Sequence, residues 1–302
     1  MLDETPLFSL VFIIRNGARF LSRALEGALA QERKDTEIMV LDLNSSDGTA
    51  DILRRYQGQL GLCQTLQDSR WSDAAQAALV IARGEWVIFL DSCHWLSQGA
   101  LGAMASSIQQ NPQASIITGC GRVVEETAIG AIAEKRSILA RDIAMSAATI
   151  LEEPMLHVRA VRRTALLEAG GFNLDATPRL PRMVAQRSAM LGMMQKQMHE
   201  VLLPYSICSE VFVQGQPARQ IGLASLKRLA ECQQLMADRF GARFVNSADT
   251  AILHEWARQQ LRVLATLSLK QRKLSHGWYF FKRSLGLEAA FPLESSSVAQ
   301  AA

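Results

Sequence analysis

The sequence predicts an α/β fold: a doubly wound, mostly parallel sheet followed by a helical C-terminal extension. Three observations carry this reading. Short, wholly apolar runs at 10–14, 38–41 and 86–90 suit strands buried on both faces. Stretches with apolar residues at helical spacing alternate with them, and such alternation builds parallel sheets covered by helices. Beyond about residue 215 no run reads as a strand, and the periodicity becomes helical.

Leu10-Val11-Phe12-Ile13-Ile14 is the first strand, broken by Asn16-Gly17. Phe20, Leu21, Ala24, Leu25, Ala28 and Leu29 then recur at helical spacing. Ile38-Met39-Val40-Leu41 is the second strand and ends in Asp42. The polar cluster Asn44-Ser45-Ser46-Asp47-Gly48 follows, rich in turn and N-cap residues. Helices are expected over 51–56 and 74–82, the latter stopped by Gly84 as a C-cap. Trp86-Val87-Ile88-Phe89-Leu90 is the third strand and ends in Asp91.

Composition bounds the function. Hydrophobic residues make up 49% and charged residues 20%, enough for a packed core and against intrinsic disorder. With 32 basic and 29 acidic residues the net charge is +3, which argues against a nucleic-acid partner. Cysteines at 63, 93, 120, 208 and 232 show no paired spacing and read as reduced thiols. The longest apolar run is far below the roughly 20 residues that span a bilayer. The acidic start, Asp3-Glu4, is unlike a signal peptide. A cytoplasmic location is expected.

Two predicted strands deliver an aspartate just past their carboxyl ends, the edge where open α/β sheets bind ligands. A carboxylate there can accept a hydrogen bond from a base or ribose, or hold a divalent cation against phosphate. It can equally cap the following turn.

Four blocks resemble family-2 glycosyltransferases of the GT-A fold, a Rossmann-like architecture. They are Phe8-Ser9-Leu10-Val11-Phe12-Ile13-Ile14-Arg15-Asn16-Gly17, Leu41-Asp42-Leu43-Asn44-Ser45-Ser46-Asp47-Gly48-Thr49, the stretch from Ala82 to Asp91, and Arg162-Arg163-Thr164-Ala165-Leu166-Leu167-Glu168-Ala169-Gly170-Gly171-Phe172. The resemblance implies residues 1–215 as a GT-A domain and 216–302 as a helical region. It implies a nucleotide-sugar donor bound by Ile14, Asn16, Asp42, Asn44, Asp91, Ser92 and His94. It also implies an Mn²⁺ or Mg²⁺ ion at Asp91, with Cys93 or His94 as further metal candidates, and a glycan, lipid-linked or protein acceptor. Sugar transfer with inversion needs a cation for the leaving diphosphate and a carboxylate for the acceptor proton.

Four positions depart from the family pattern. Leu43 stands where a second aspartate follows Asp42. The metal motif reads Asp91-Ser92-Cys93-His94, keeping only its first carboxylate. Sulfur and imidazole suit Zn²⁺ better than Mg²⁺ or Mn²⁺. Leu180-Pro181 occupies the place of the Glu-Asp pair that holds the catalytic base, leaving Asp175 as the acid in that window. Glu125 and Glu126 follow a predicted strand, without a spacing that argues for a role. Ala74-Ala75-Gln76 replaces an Ala-Arg-Asn stretch, removing a phosphate-side arginine. Two readings remain: a glycosyltransferase with a rebuilt site, or an inactive GT-A module that binds a partner protein in glycan assembly.

His254-Glu255 and His199-Glu200 lack the second histidine of a zinc-protease motif. Met190, Met193, Met194 and Met198 recur at near-helical spacing and suit core packing. His157 and His276 stand alone in the sequence and read as structural. Amphipathic helices are expected over 223–240 and 251–269. The segment 270–283 places basic residues around Trp278, Tyr279, Phe280 and Phe281, a composition suited to the inner face of a membrane or to docking on the main domain. The tail from Glu294 reads as disordered.

Overall fold

The computed structural model describes residues 5–31, 33–126, 132–152, 154–172, 182–212, 240, 247–270 and 274–285. Two compact units divide the chain, Met1–Ala218 and Arg219–Ala302. The first holds a nine-stranded sheet: β1 (Phe8–Ile14), β2 (Thr36–Asp42), β3 (Leu62–Thr65), β4 (Trp86–Leu90), β5 (His94–Leu96), β6 (Ile116–Glu126), β7 (Ile132–Ile138), β8 (Arg159–Arg162) and β9 (Glu200–Phe212). Its order is β3-β2-β1-β4-β8-β6-β9-β5, with β7 beside β6. Strands β1, β2, β3, β4, β6 and β9 share one direction, so the sheet is mostly parallel.

β1 is central, and every one of its residues is buried. Phe8, Leu10, Phe12 and Ile14 share a core with Leu21, Ala24 and Leu25 of α1 (Leu21–Leu29) and with Leu101 and Met104 of α4 (Ala100–Gln110). Val11 and Ile13 point the opposite way along the strand and are equally buried. α3 (Trp71–Ile81) contacts both β1 and β2. Cover on both faces explains why these strands carry unbroken apolar runs.

Register fixes the edge that matters. Ile14 lies beside Asp42, and Phe12 lies beside Leu90, so the turns after β1, β2 and β4 emerge together. Gly17 permits their close approach: a Cβ there would lie 2.7 Å from the Ser92 Cβ and 2.6 Å from the Ile14 Cγ2.

α2 covers Thr49–Tyr56 and α3 begins at Trp71, three residues before the expected start. Asp73 accepts the Arg70 main-chain N–H at 3.4 Å, capping that earlier turn. The connection to β6 and beyond adds α5 (Ala147–Glu152), α6 (Arg163–Glu168) and α7 (Arg182–Gln195). Met190 and Met193 of α7 are fully buried, as core packing requires. The four described cysteines are unpaired.

The second unit contains α8 (Ser247–Lys270) and α9 (Leu274–Ser284). Leu261, Leu264 and Ala265 pack on Tyr279 and Phe280. Gly277 allows the pair to close, since a Cβ there would meet the Leu269 Cγ at 2.6 Å. Trp278 and Phe281 stack on each other and stay exposed. Of the expected helix over 223–240, only Phe240 falls within the described residues, and the tail from Glu294 lies outside them. Among the described residues no helix is long and apolar enough to cross a membrane.

Candidate active site

The turns after β1 and β2 are laced together. Asn16 and Asn44 both adopt left-handed backbone (φ 55°), which asparagine tolerates better than most residues. Asn16 receives the Ser46 N–H on Oδ1 at 2.9 Å and donates its own N–H to the Ser45 Oγ at 2.8 Å. Asp42, only 2% exposed, accepts the Ser45 N–H at 3.2 Å and the Ser45 hydroxyl. Its carboxylate therefore shapes the loop from within. Burial would raise the Asp47 carboxyl, but the Thr49 hydroxyl and the Ala18 and Thr49 amides outweigh it and hold it below its ordinary value. Ile14 is wholly buried, and its carbonyl accepts the Leu43 N–H at 2.8 Å.

A cavity of about 410 Å³ opens beside this loop, lined by Asn16, Gly17, Arg19, Asp91, Ser92 and Cys93 among others. Glu126 reaches this region by pairing with Arg19, whereas Glu125 pairs with Lys135 at 3.8 Å. Across the Asp91–His94 turn lies a second cavity of about 250 Å³. Its walls include Cys93, His94, His157, Arg182, Gln186 and Glu210. Cys93 lines both. The structure thus brings Asn16, Asp91 and Ser92 to one cavity and His94 to the other; Ile14, Asp42 and Asn44 line neither. Asp175 and Leu180-Pro181 lie outside the described residues.

Asp91 is engaged on both oxygens. Oδ1 accepts the Ser92 N–H at 2.6 Å and the Ser92 hydroxyl at 3.2 Å, and Oδ2 binds the Arg182 Nη1 at 2.5 Å. Burial would raise its pKa, but Arg182, then His94, hold it below the ordinary carboxylate value. Arg182 opens α7 and leans its guanidinium over Trp71, 5.4 Å from the ring centroid.

His94 and His157 stack at 4.1 Å, and their Nε2 atoms each lie 3.7 Å from one oxygen of Glu210. The Asp91 main-chain N–H donates to the His94 Nδ1 at 2.9 Å, so that nitrogen carries no proton and the neutral ring keeps its proton on Nε2, toward Glu210. Burial opposes a second proton on His94, while Cys93 and Glu210 favour one. Burial, then the neighbouring His94, lowers His157 well below its ordinary value. Burial would raise Glu210; the two histidines outweigh it and pull the carboxyl down to about 2.

The sign of the resulting pH dependence is fixed on the acid side. A depressed Glu210 contributes stability that is complete above the unfolded value of 4.5 and is lost as pH falls toward about 2. His157 is neutral in the fold, so stability also falls once pH drops below its unfolded value of 6.5. Thermal melts should therefore decline from pH 6.5 downward, and Glu210→Gln should lessen the part below 4.5, the remainder coming from Asp91 and Asp47, whose carboxyls are also held low. A Tm constant from pH 6.5 to 3 would contradict this account.

Sequence reasoning missed Arg182, Glu210 and His157. His157 read as an isolated structural histidine; in space it stacks on His94 beside Glu210. Gln76, in the stretch read as having lost a phosphate-side arginine, accepts the Phe172 N–H at 2.9 Å. It thereby seats Phe172 edge-on against Trp71 and Phe89.

Mg²⁺ and Mn²⁺ fit this site poorly. Such ions take oxygen ligands, usually one or two carboxylates plus phosphate. Asp91 has both oxygens occupied, and the neighbouring donor set among the described residues is Cys93, His94 and Glu210, within 4.8 Å of one another.

Solved structures of the same layout place the fold. The chain aligns with Staphylococcus aureus TarS in complex with UDP-GlcNAc over 95% of its length and 94% of that chain, at TM-score 0.62 and 13% identity. A Pyrobaculum calidifontis mannosyltransferase, PcManGT, in complex with GDP-Man and Mn²⁺ aligns over 95% and 77%, at TM-score 0.55 and 17% identity. The fold is the GT-A fold of glycosyltransferases. The sequence pattern described as "Glycosyl transferase family 2" matches residues 9–167, more than half of the chain, and the chain belongs to that family.

Two relatives illustrate that likeness. Escherichia coli WfaP, a UDP-Glc:alpha-D-GlcNAc-diphosphoundecaprenol beta-1,3-glucosyltransferase, is 33% identical over 89 residues, 28% of this chain and 35% of its own. The Rhizobium meliloti succinoglycan biosynthesis protein ExoO is 33% identical over 92 residues, 30% of this chain and 26% of its own. The matched stretch thus spans about a third or less of either relative.

Proposed function

We propose that the protein is a nucleotide-sugar-dependent glycosyltransferase acting on a glycan or lipid-linked acceptor, with residues 1–215 as its catalytic domain. The observation that carries this reading is the pair of cavities meeting at the Asp91–His94 turn, on the carboxyl edge of β1, β2 and β4. One suits a nucleotide, bounded by Asn16, Ser92 and the Asp42-anchored loop. The other suits the sugar and acceptor, next to the ionised Glu210.

Inverting transfer requires a group that removes the acceptor proton. Among the residues lining the second cavity, the Glu210–His157 pair is suited to this. Glu210, ionised at working pH, takes the proton, and the two histidines 3.7 Å from its oxygens hold the carboxylate in place. A lipid-linked acceptor is supported by the diphosphoundecaprenol substrate in the WfaP name. It is supported too by Trp278, Phe281 and Leu285 on the second unit, all exposed, with Lys282 and Arg283 beside them. Such a surface suits the cytoplasmic face of a membrane.

Incubation with UDP-, GDP- and TDP-sugars, reading release of the nucleoside diphosphate, tests the proposal. Slow release from one of them is expected even without acceptor. Tight binding with no release under any acceptor would favour a binding module in glycan assembly.

A further inference from the structure

The site holds its own cation where the family resemblance would place a metal. Arg182 is bound to Asp91 at 2.5 Å, and Ser92 fills the other carboxylate oxygen. Arg182 is also a wall of the cavity shared with His94 and Gln186, and its side chain is 37% exposed. A guanidinium stays charged at any working pH and offers five N–H donors in a planar fork that matches phosphate oxygens. Engaging Nη1 with Asp91 orients that fork without neutralising its donor capacity. We infer that Arg182, positioned by Asp91, receives the diphosphate of the donor, and that donor binding needs no divalent metal.

The inference rests on the nucleotide-sugar reading and makes a narrower demand. Asp91 becomes a positioning residue for Arg182 rather than a metal ligand. The leaving diphosphate meets a fixed positive charge already in place, which is how an arranged site stabilises charge without reorganising.

The test is calorimetric titration of UDP, GDP and TDP into the whole protein, once with EDTA and once with Mn²⁺. The wild type, Arg182→Ala and Arg182→Lys are compared, with thermal melts to verify folding. The expected result is a wild-type Kd equal within about twofold in EDTA and Mn²⁺. Arg182→Ala should weaken binding about tenfold or more, equivalent to roughly 1.4 kcal/mol. Arg182→Lys should recover part of it, keeping the charge but losing the fork. Wild-type binding that requires Mn²⁺ overturns the inference and leaves the glycosyltransferase reading standing. So does an Arg182→Ala protein that binds as well as wild type. Absence of binding with or without Mn²⁺ overturns the nucleotide reading and this inference together. The EDTA comparison uses only the wild type, so it decides even where a variant fails to fold.

Discussion

Glu210→Gln is expected to lower turnover about 10²–10⁴-fold, the usual worth of a general base, while leaving the donor Kd nearly unchanged. Glu210 projects from β9 beside the second cavity, with an oxygen 3.7 Å from each of two stacked histidines. A carboxyl pulled down to about 2 is ionised at any working pH and so stands ready to accept the acceptor's proton. His157, held well below its ordinary pKa, orients that carboxylate and does not take the proton itself. Glutamine keeps the shape but cannot supply that charge, so the chemical step should suffer and ground-state binding should not. Donor release kinetics and calorimetry on the same preparation separate the two. Normal turnover in Glu210→Gln would remove this pair from the mechanism. A matching loss in Asp175→Asn would then move the base to the segment before α7.

The second large effect concerns stability. Arg159→Met should cost about 3–5 kcal/mol, because it strands three buried carbonyls and removes the cation beside the nearly buried Glu200 carboxylate. Arg159 is 1% exposed. Its Nη1 donates to the carbonyls of Pro154 (2.8 Å) and Met155 (3.2 Å), and its Nη2 donates to that of Ile143. Nε lies 3.8 Å from Glu200, whose carboxylate also accepts the Thr118 hydroxyl and the Met145 N–H. Burial lowers the Arg159 pKa to about 10, and Glu200 opposes that shift. The arginine therefore pins Ile143, Pro154 and Met155, the last two of which wall the second cavity. Urea unfolding should show a lower midpoint with an unchanged slope. Arg159→Met combined with Glu200→Gln should recover part of the loss, since no carboxylate is then left unpaired. A single variant within about 0.5 kcal/mol of wild type would contradict the pinning role.

The legible part of the fold was the part covered on both faces. β1, β2 and β4 announce themselves because each inward and outward position is apolar. β3 does not, since Leu62-Cys63-Gln64-Thr65 is an exposed edge strand, half buried only at Leu62. β5 is three residues long, and β8 is four residues that include the fully buried Arg159; neither has room to show a period. The same split runs through the site. Asp91 was legible because it terminates an apolar strand, and Asn16 because it breaks one. Arg182, His157 and Glu210 come from a helix start, a short turn and a late strand. Tertiary packing alone joins them to Asp91. Asp42 followed the sequence rule for strand ends, yet its carboxylate closes its own loop.

Calorimetric titration of UDP-, GDP- and TDP-sugars into wild type and Asp91→Ala tests whether the edge at Asp91 binds a nucleotide sugar. Binding of at least one donor by the wild type, weakened about tenfold or more in Asp91→Ala as Arg182 loses its anchor, is the predicted result. A wild-type protein that binds none of these donors, or an Asp91→Ala protein that binds one equally well, would contradict it.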